Sequence, residues 1–385
     1  MGLGFLVVGQ ESMKKRHFVY LVPGFFGFAN LGGITYFHHV HDALQAEFNQ
    51  RGLEVEIIPV ATLPTGSIRA RTARLVEQVA ATAGEKGVIH LVGHSTGGLD
   101  TRLMVTPSVA LPSEVDVEPL ARRVRSVVTV AAPHLGTPMA SIFNSLFGQN
   151  LLWALSLGTI YTLRFGRLPL RALFELIGIV TRIDRRLGLK SSILEQFYRE
   201  LFSDFGAERG AEINEFLGLI RQDRSVIGQL TPGAIDLFNA STSDRKSVHY
   251  GCVVTRAAGL SLSTAVRLKF DIYSHSSHIL FRMLQVLTAR NGHYFDLHPD
   301  QEEKIIDAYG DAPSCHCNDG VVPTLSQVWG EIIHVTRADH LDVCGHFREP
   351  DHDPPHVDWF ISGSGFTRED FEELWGDVAR FMLRN

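Results

Sequence analysis

Short runs of β-branched and other apolar residues recur along the chain, and stretches with helical spacing separate most of them. The runs cover residues 18–22, 55–60, 88–92, 124–130, 248–254 and 331–336. Continuous apolar runs of about four to eight residues are typical of strands buried on both faces of a parallel sheet. The pattern therefore predicts an α/β fold with a mostly parallel central sheet flanked by helices.

Amphipathic spacing fills the intervals between the first predicted strands. Residues 36–51 and 67–83 carry apolar side chains at intervals of three and four. The first of these helices is predicted to end at Gly52, a residue typical of helix C-termini. A closing helix is predicted over residues 368–383, where aromatic and aliphatic side chains share one face.

The alternation of strands and helices stops in the middle of the chain. Residues 142–163 are largely apolar but interrupted by polar amides, so a transmembrane helix is disfavoured. We predict an α/β core formed by residues 1–140 and 228–385. Residues 141–227 form an inserted helical cap or lid, whose apolar inner face could open at a lipid–water interface. The alternative is a helical insertion that only packs against the core.

The pentapeptide Gly93-His94-Ser95-Thr96-Gly97 follows the third predicted strand directly. In this G-x-S-x-G pattern the serine occupies a sharp strand-to-helix turn that leaves no room for a Cβ atom two residues before or after it. The turn exposes the serine Oγ and aims unpaired N–H groups of the next helix at an oxyanion. We predict Ser95 as a nucleophile and the Thr96 N–H as an oxyanion donor. The alternative is an ordinary strand–helix turn.

A second glycine-bearing loop, Pro23-Gly24-Phe25-Phe26-Gly27, follows the first predicted strand. A nucleophilic serine on an α/β sheet needs a second oxyanion donor at this place, and we predict the Phe25 N–H for that role. The aromatic side chains of Phe26 and Phe28 would suit an acyl chain. A simple β-turn is the alternative.

A serine nucleophile requires a histidine base, and the histidine requires a carboxylate that orients it. His340 lies a few residues after the last predicted strand, in a loop that would reach the same sheet edge as the serine. Asp319 lies at a tight turn in an earlier loop, and we predict it as the acid. Asp339 is less suitable because it is adjacent to His340. His134 is a weaker candidate base because it precedes every suitable acid loop.

Composition excludes some classes of function. The net charge of −6 gives no reason to expect nucleic acid as a partner and argues against simple adsorption to anionic lipid. Four cysteines are too few for a disulfide scaffold, although one bridge between the loop at 315–317 and Cys344 is open in an oxidising compartment. The N-terminal apolar run lacks a preceding basic region and a convincing cleavage site, which favours a cytoplasmic or unconventionally exported protein.

Seven separate stretches, in the same order along the chain, resemble the bacterial true lipases, the family I triacylglycerol lipases of the α/β-hydrolase superfamily. They are residues 22–27, 64–71, 93–98, 132–138, 230–239, 318–322 and 339–342. The resemblance implies the α/β-hydrolase fold and the same triad and oxyanion donors, Ser95, Asp319, His340, Phe25 and Thr96. It is specific for the core and weak over the predicted cap. Where this family usually has His-Gly, the chain has Pro-Gly at positions 23 and 24, which keeps the backbone donor and removes a side chain.

The same resemblance suggests a metal, because many members of the family carry a Ca²⁺ that steadies the loop of the catalytic histidine. Asp342 matches one ligand of that ion, and Asp296 is a better positional match than Asp300 for the other. Carboxylates with backbone carbonyls suit a hard cation. A helix cap or surface role for Asp342 is the alternative. Zn²⁺ is also conceivable, since cysteines and histidines occur at 315–317, 344–346 and 352–356, but their spacing fits no familiar pattern.

Together these residues predict carboxylic-ester hydrolysis through an acyl-enzyme intermediate, with no cofactor required for the chemistry. The aromatic loop favours a lipase or long-chain esterase whose partners are a lipid or ester substrate and, transiently, a lipid–water interface. A short-chain esterase, a polyester depolymerase and a thioesterase share the same site chemistry. Two rivals from other classes are a non-catalytic hydrolase-like binding protein and a membrane-anchored interaction protein that uses residues 142–183.

Overall fold

The centre of the structure is a six-stranded sheet in which every neighbouring pair of strands runs parallel. The computed structural model describes residues 16–184, 191–258, 271–290 and 296–384. The strands are β1 (His17–Val22), β2 (Val55–Pro59), β3 (Val88–His94), β4 (Val124–Val130), β5 (His249–Thr255) and β6 (Glu331–Thr336). Their order in the sheet is β2-β1-β3-β4-β5-β6. The predicted parallel sheet is therefore confirmed, whereas the N-terminal apolar run lies outside the described residues.

Helices connect the strands and cover the sheet. They are α1 (Val40–Gln50), α2 (Ile68–Thr82), α3 (Thr96–Val105), α4 (Val117–Ala121), α5 (Pro138–Phe143), α6 (Leu146–Phe165), α7 (Leu170–Asp184), α8 (Ser191–Phe202), α9 (Ala207–Gln222), α10 (Ser225–Gln229), α11 (Pro232–Ser241), α12 (Ile272–Thr288), α13 (Pro299–Tyr309) and α14 (Arg368–Met382). Short 3₁₀ turns occupy Thr324–Gln327 and Asp342–Cys344.

The alternation of side chains along β1 divides the core into two layers. Val19 and Leu21 belong to the cluster that contains the buried faces of α1 and α14. Phe18, Tyr20 and Val22 belong to a second cluster, with the apolar face of α2. Both faces of the strand are therefore buried, which explains why its sequence is apolar throughout rather than alternating.

The helices α5 to α11 are inserted between β4 and β5. The longest, α6, has every side chain from 151 to 162 buried, because α7, α8 and α9 pack around it. A helix that is enclosed on all sides can be apolar all round without entering a bilayer. None of the helices described here combines the length and the apolar character that a bilayer crossing needs.

The order of the strands reverses between β1 and β3, which are neighbours in the sheet although β2 lies between them in sequence. Parallel α/β sheets bind their ligands at the carboxyl ends of the strands beside such a reversal. The loop at Gly24 and the turn at Ser95 leave the sheet at these two strand ends. The topology therefore places the two predicted halves of the oxyanion site side by side.

An ion pair lies fully buried beneath the turn at Ser95. Arg71 of α2 donates from Nε to one carboxylate oxygen of Asp100 in α3 at 2.9 Å, and its Nη2 lies 2.8 Å from the same oxygen. Its Nη2 also donates to the carbonyl of Pro23 at 2.8 Å, and its Nη1 to that of Leu63 at 2.5 Å. One guanidinium thus holds α2, α3 and the loop after β1 together.

Removing Arg71 alone should destabilise the fold because it leaves the Asp100 carboxylate buried without a counter-charge. We expect Arg71→Met to lower the free energy of unfolding by about 3–5 kcal/mol in urea titrations at pH 7. The double variant Arg71→Met/Asp100→Leu should recover part of this loss, and Arg69→Met, at an exposed position of the same helix, should change little. A double variant less stable than Arg71→Met would contradict this explanation.

Candidate active site

Ser95 lies at the turn between β3 and α3 with a backbone conformation that non-glycine residues rarely adopt. Its φ is 53° and its ψ is −127°. A Cβ atom built on Gly93 would lie 2.3 Å from the Gly97 carbonyl oxygen, and one on Gly97 would lie 2.3 Å from that of Val22. The two glycines are therefore required by close backbone contacts, as the G-x-S-x-G pattern predicts.

The side chains of His340 and Asp319 are paired in the buried interior beside this turn. His340 Nδ1 lies 2.8 Å from Asp319 Oδ2. Because a carboxylate oxygen accepts, Nδ1 carries the proton, and Nε2 is left with a lone pair. The structure thus brings together the two residues that the sequence nominated as acid and base.

The Asp319 carboxylate is held by donors on both of its oxygens. Oδ1 accepts from the backbone N–H groups of Val321 and Val322, at 2.9 and 2.7 Å. Oδ2 lies 2.9 Å from the Thr255 hydroxyl at the end of β5 and 3.3 Å from Gln327 Nε2. These contacts fix the plane of the carboxylate and therefore the orientation of the imidazole bonded to it.

The two alternative triad members have other partners. The Asp339 carboxylate accepts from the backbone N–H groups of Leu341 and Asp342. His134 is buried between Arg102 and Thr129, and burial together with the Arg102 charge lowers its pKa well below the ordinary histidine value. Its side chain takes part in packing the core and does not line the cavity at Ser95.

Two backbone N–H groups are available beside the Ser95 side chain. A Cβ atom on Gly24 would lie only 2.6 Å from the Ser95 Cβ, so the loop after β1 runs directly against the serine. Within the described part of the chain, the N–H groups of Phe25 and Thr96 donate to no acceptor. Thr96 is the first residue of α3, where backbone N–H groups lack partners within the helix. The predicted oxyanion donors therefore flank the serine with their hydrogens unused.

A buried hydrogen-bond relay through Tyr36 and His94 supports the loop after β1 and the loop that carries His340. It was not predicted from the sequence. The Tyr36 hydroxyl accepts from the Gly24 N–H at 2.9 Å and lies 2.7 Å from His94 Nδ1. His94 Nε2 donates to the His340 carbonyl at 2.8 Å. His94 Nδ1 must then accept from Tyr36, because burial lowers the pKa of His94 and keeps the ring neutral. In the sequence, Tyr36 was only part of a helical pattern and His94 only the variable residue before the serine.

A cavity of about 110 Å³ contains Ser95 and His340 and is otherwise mostly apolar. Phe25 and Phe26 line one side of it. Phe28 does not line it, because its ring packs against Tyr36 and Phe216 in the core. The remaining apolar lining comes largely from the inserted helices and the loops of the sheet edge: Met139, Ala140, Phe143, Leu152, Leu155, Ile227, Leu230, Leu284, Val321, Val322, Leu341 and Trp359.

Three carboxylates meet beside His340, one from the residue before it and two from the segment that follows it. Asp339, Asp342 and Asp358 each place one oxygen within 4.8 Å of the others. Asp339 Oδ2 and Asp358 Oδ1 are buried without a hydrogen-bond partner among the described residues. Burial raises the pKa of Asp339 to about 7, and burial with the neighbouring Asp339 charge raises that of Asp342 well above its ordinary value. This all-oxygen set suits a hard cation such as Ca²⁺.

The other residues considered for metal binding lie elsewhere. Asp296 is exposed and does not belong to this group of three. All four cysteines are free thiols, with Cys252 and Cys344 buried and Cys315 and Cys317 partly exposed. Asp358 was not nominated from the sequence, because nothing in the irregular segment around it indicates that the chain folds back onto the aspartates beside His340.

The amino-acid sequence of the chain is similar to those of lipases and esterases. The sequence family described as "Putative serine esterase (DUF676)" matches residues 12–164. The triacylglycerol lipase of Pseudomonas fragi is 29% identical over 133 residues, which are 34% of this chain and 39% of that enzyme. The chain thus spans about two fifths of the length of this relative, and the likeness lies in one part of the sequence.

Two solved structures are similar over nearly the whole chain. EstA from Clostridium botulinum has a TM-score of 0.51 at 17% identity, covering 99% of this chain and 91% of that one. Lipase 1 from Pelosinus fermentans has a TM-score of 0.50 at 17% identity, covering 95% and 99%. Likeness at these identities shows the fold, and the predicted α/β-hydrolase fold is confirmed.

The geometry predicts that Ser95 reacts selectively with a fluorophosphonate probe. Ser95→Ala should abolish the labelling, while Ser156→Ala should leave it intact, because Ser156 lines the same cavity but donates its hydroxyl to the Leu152 carbonyl at 2.8 Å. Asp319→Asn should slow labelling by roughly 10³–10⁴-fold, since the imidazole loses its orienting partner. Mass spectrometry of the labelled peptide gives the site. Labelling that survives in Ser95→Ala would disprove the assignment.

Proposed function

We propose that the protein is a serine carboxylic-ester hydrolase, a lipase or long-chain esterase that works through an acyl-enzyme intermediate. The observation that carries the proposal is the arrangement around one apolar cavity: Ser95 on its strained turn, His340 paired with Asp319, and two unused N–H groups beside the serine. These are the parts that acyl transfer by a serine requires. The similarity to serine esterases and triacylglycerol lipases supports the same reaction class.

In the proposed reaction, Ser95 Oγ attacks the ester carbonyl while His340 Nε2 takes its proton. Asp319 keeps the proton on Nδ1 and stabilises the imidazolium that forms. The N–H groups of Phe25 and Thr96 donate to the tetrahedral oxyanion. Collapse releases the alcohol, protonated by His340, and a water molecule activated by the same imidazole then releases the acid.

The lining of the cavity supports an acyl chain as the group that is bound. Phe26 from the first loop and Met139 and Leu155 from the inserted helices offer apolar contacts without a charged side chain. Burying an alkyl chain contributes about 0.8 kcal/mol for each methylene removed from water. Affinity should therefore rise with acyl length until the cavity is filled, as expected for triacylglycerol or another long-chain ester.

The inserted helices would also control access. Ser95 is only 5% exposed, and α5 and α6 contribute Met139, Phe143 and Leu152 to the walls above it. A bulky lipid can reach the serine only if these helices move. We infer that the predicted cap, residues 141–227, acts as a lid that opens against a lipid–water interface, where its apolar inner face is no longer exposed to water.

The proposal extends to a Ca²⁺ ion held by Asp339, Asp342 and Asp358. The ion would offset two of the three negative charges of carboxylates that otherwise repel each other in a buried place. Its role would be to fix the segment that carries His340, because Asp339 directly precedes the histidine in sequence and Asp342 follows it by two residues. No step of the ester chemistry passes through the ion.

The decisive activity test is hydrolysis of p-nitrophenyl esters across acyl lengths. Wild type and Ser156→Ala should hydrolyse them with kcat/KM rising toward long chains, because the cavity is apolar. Ser95→Ala should lose activity by roughly 10⁴–10⁶-fold, the scale seen when a nucleophile is removed from a triad. If wild type and Ser95→Ala are equally inactive on every ester while Ser95 still labels with fluorophosphonate, another acyl substrate such as a thioester or polyester becomes the better proposal.

Calcium should stabilise the metal-stripped protein by an amount that grows with pH. Without the ion, buried Asp339 holds its proton up to a pKa of about 7, whereas the unfolded chain releases it near 3.8. The contribution of this one group to stability is therefore greatest below pH 3.8 and is lost as the pH rises through 7. Calcium replaces that proton, and the rise in Tm on adding Ca²⁺ should therefore be larger at pH 8 than at pH 5. Asp342→Asn should lose the response, and Asp296→Asn should keep it. An equal response in both variants would contradict this site.

A further inference from the structure

A cluster of histidines lies on the other side of the segment that follows His340, where this segment meets the start of α1. The histidine cluster consists of His38, His39 and His356, and one ring nitrogen from each lies within 4.8 Å of the others. The ring centres of His39 and His356 are 4.5 Å apart, and those of His38 and His39 are 4.1 Å apart. The histidine cluster contains no carboxylate that would pair with the imidazoles, so the close packing of the three rings requires another explanation.

Each ring of the histidine cluster is fixed by a hydrogen bond to a backbone carbonyl. The bonds run from His38 Nε2, His39 Nε2 and His356 Nδ1 to the carbonyls of Pro355, Pro354 and Gly345, at 3.1, 2.8 and 2.7 Å. A carbonyl only accepts, so the bonded nitrogen carries the hydrogen and the other nitrogen keeps its lone pair. Histidines that bind metals are oriented in this way, with the second nitrogen donating to a carbonyl or carboxylate.

A solvent-connected cavity of about 410 Å³ reaches two members of the histidine cluster. It is lined by His38 and His39 and also by His41, Asp42 and His346. The Asp42 carboxylate is largely exposed and lies 3.7 Å from His39 Nδ1. A cation arriving from water would thus meet nitrogen ligands on the inner wall and one carboxylate on the rim.

We propose that His38, His39 and His356 bind a Zn²⁺ ion, with the fourth position directed toward Asp42. Three imidazoles with a carboxylate or water form a tetrahedral set typical of zinc. Imidazole nitrogens suit Zn²⁺ and its neighbours among the transition metals, whereas hard cations prefer oxygen. The site is therefore chemically distinct from the aspartate group, and it does not rest on the proposed hydrolase activity.

The ion would join two segments that flank the proposed active site. The backbone N–H of His38 already donates to the Cys344 carbonyl at 2.8 Å, and His346 Nε2 donates to the Tyr36 carbonyl at 2.8 Å. A Cβ atom on Gly345 would lie 2.0 Å from the His38 carbonyl oxygen, so the segments touch through their backbones. Zinc at this place would tie the segment after His340 to the residues that lead into α1.

The test uses the full chain, stripped of metal and then saturated with Ca²⁺ so that the aspartate group does not compete. Zn²⁺ binding is measured by calorimetry, and Co²⁺ is titrated as a spectroscopic probe of coordination. We expect one tight Zn²⁺ site per chain, intense visible bands typical of tetrahedral Co²⁺, and loss of those bands when Zn²⁺ is added. Absence of stoichiometric Zn²⁺ binding, or Co²⁺ bands of octahedral type only, would overturn the proposal.

Variants locate the site. His38→Gln and His356→Gln should each weaken Zn²⁺ binding by more than the roughly 10–100-fold that the loss of an outer partner costs. His249→Gln, which changes an exposed histidine at the start of β5, should leave the affinity unchanged. Circular dichroism of the metal-free proteins checks folding, and if either ligand variant fails to fold, the wild-type Co²⁺ spectrum decides. Equal affinity in all three variants would refute the assignment.

Discussion

The site depends on one steric constraint, the close approach of the loop after β1 to the turn at Ser95. No side chain fits at Gly24, Gly93 or Gly97, because a Cβ atom at each would lie within 2.6 Å of another atom. This approach brings the Phe25 N–H beside the serine. The buried Arg71–Asp100 pair holds the same elements from below, since Arg71 also bonds the Pro23 carbonyl. The close backbone contacts and the buried ion pair together fix the position of Ser95.

The polar network extends this constraint to the histidine. Tyr36 joins the Gly24 N–H to His94, and His94 joins the carbonyl of His340, so a displacement of either loop breaks a buried hydrogen bond. Leaving such a group unsatisfied costs about 1–3 kcal/mol. The relay therefore couples the oxyanion loop to the loop of the proposed base, although neither Tyr36 nor His94 has a role in the proposed chemistry itself.

The sequence predicted the parts of the fold that local pattern determines. All six strands of the central sheet follow from apolar runs, and α2 and α14 follow from helical spacing. The serine turn follows from a motif whose glycines have a steric cause. Contacts between distant segments were not predictable in this way. Asp358 lies beside Asp339 and Asp342, although an irregular segment separates them in sequence. His356 lies beside His38, although most of the chain separates these two residues. Phe28 was misplaced at the cavity because the loop pattern cannot show that its ring turns into the core.

The segment after His340 shows why such distant contacts matter. Between the end of β6 and the start of α14, the described chain contains only one 3₁₀ turn, so little regular backbone hydrogen bonding holds it. Side-chain and backbone contacts must therefore fix its position. The three carboxylates lie on one side of the segment, and the histidine cluster and the residues that lead into α1 lie on the other. Oxygen ligands and nitrogen ligands select different cations, so two ions could fix the two sides independently. Metal binding would then hold this segment in place, which regular secondary structure does not do here.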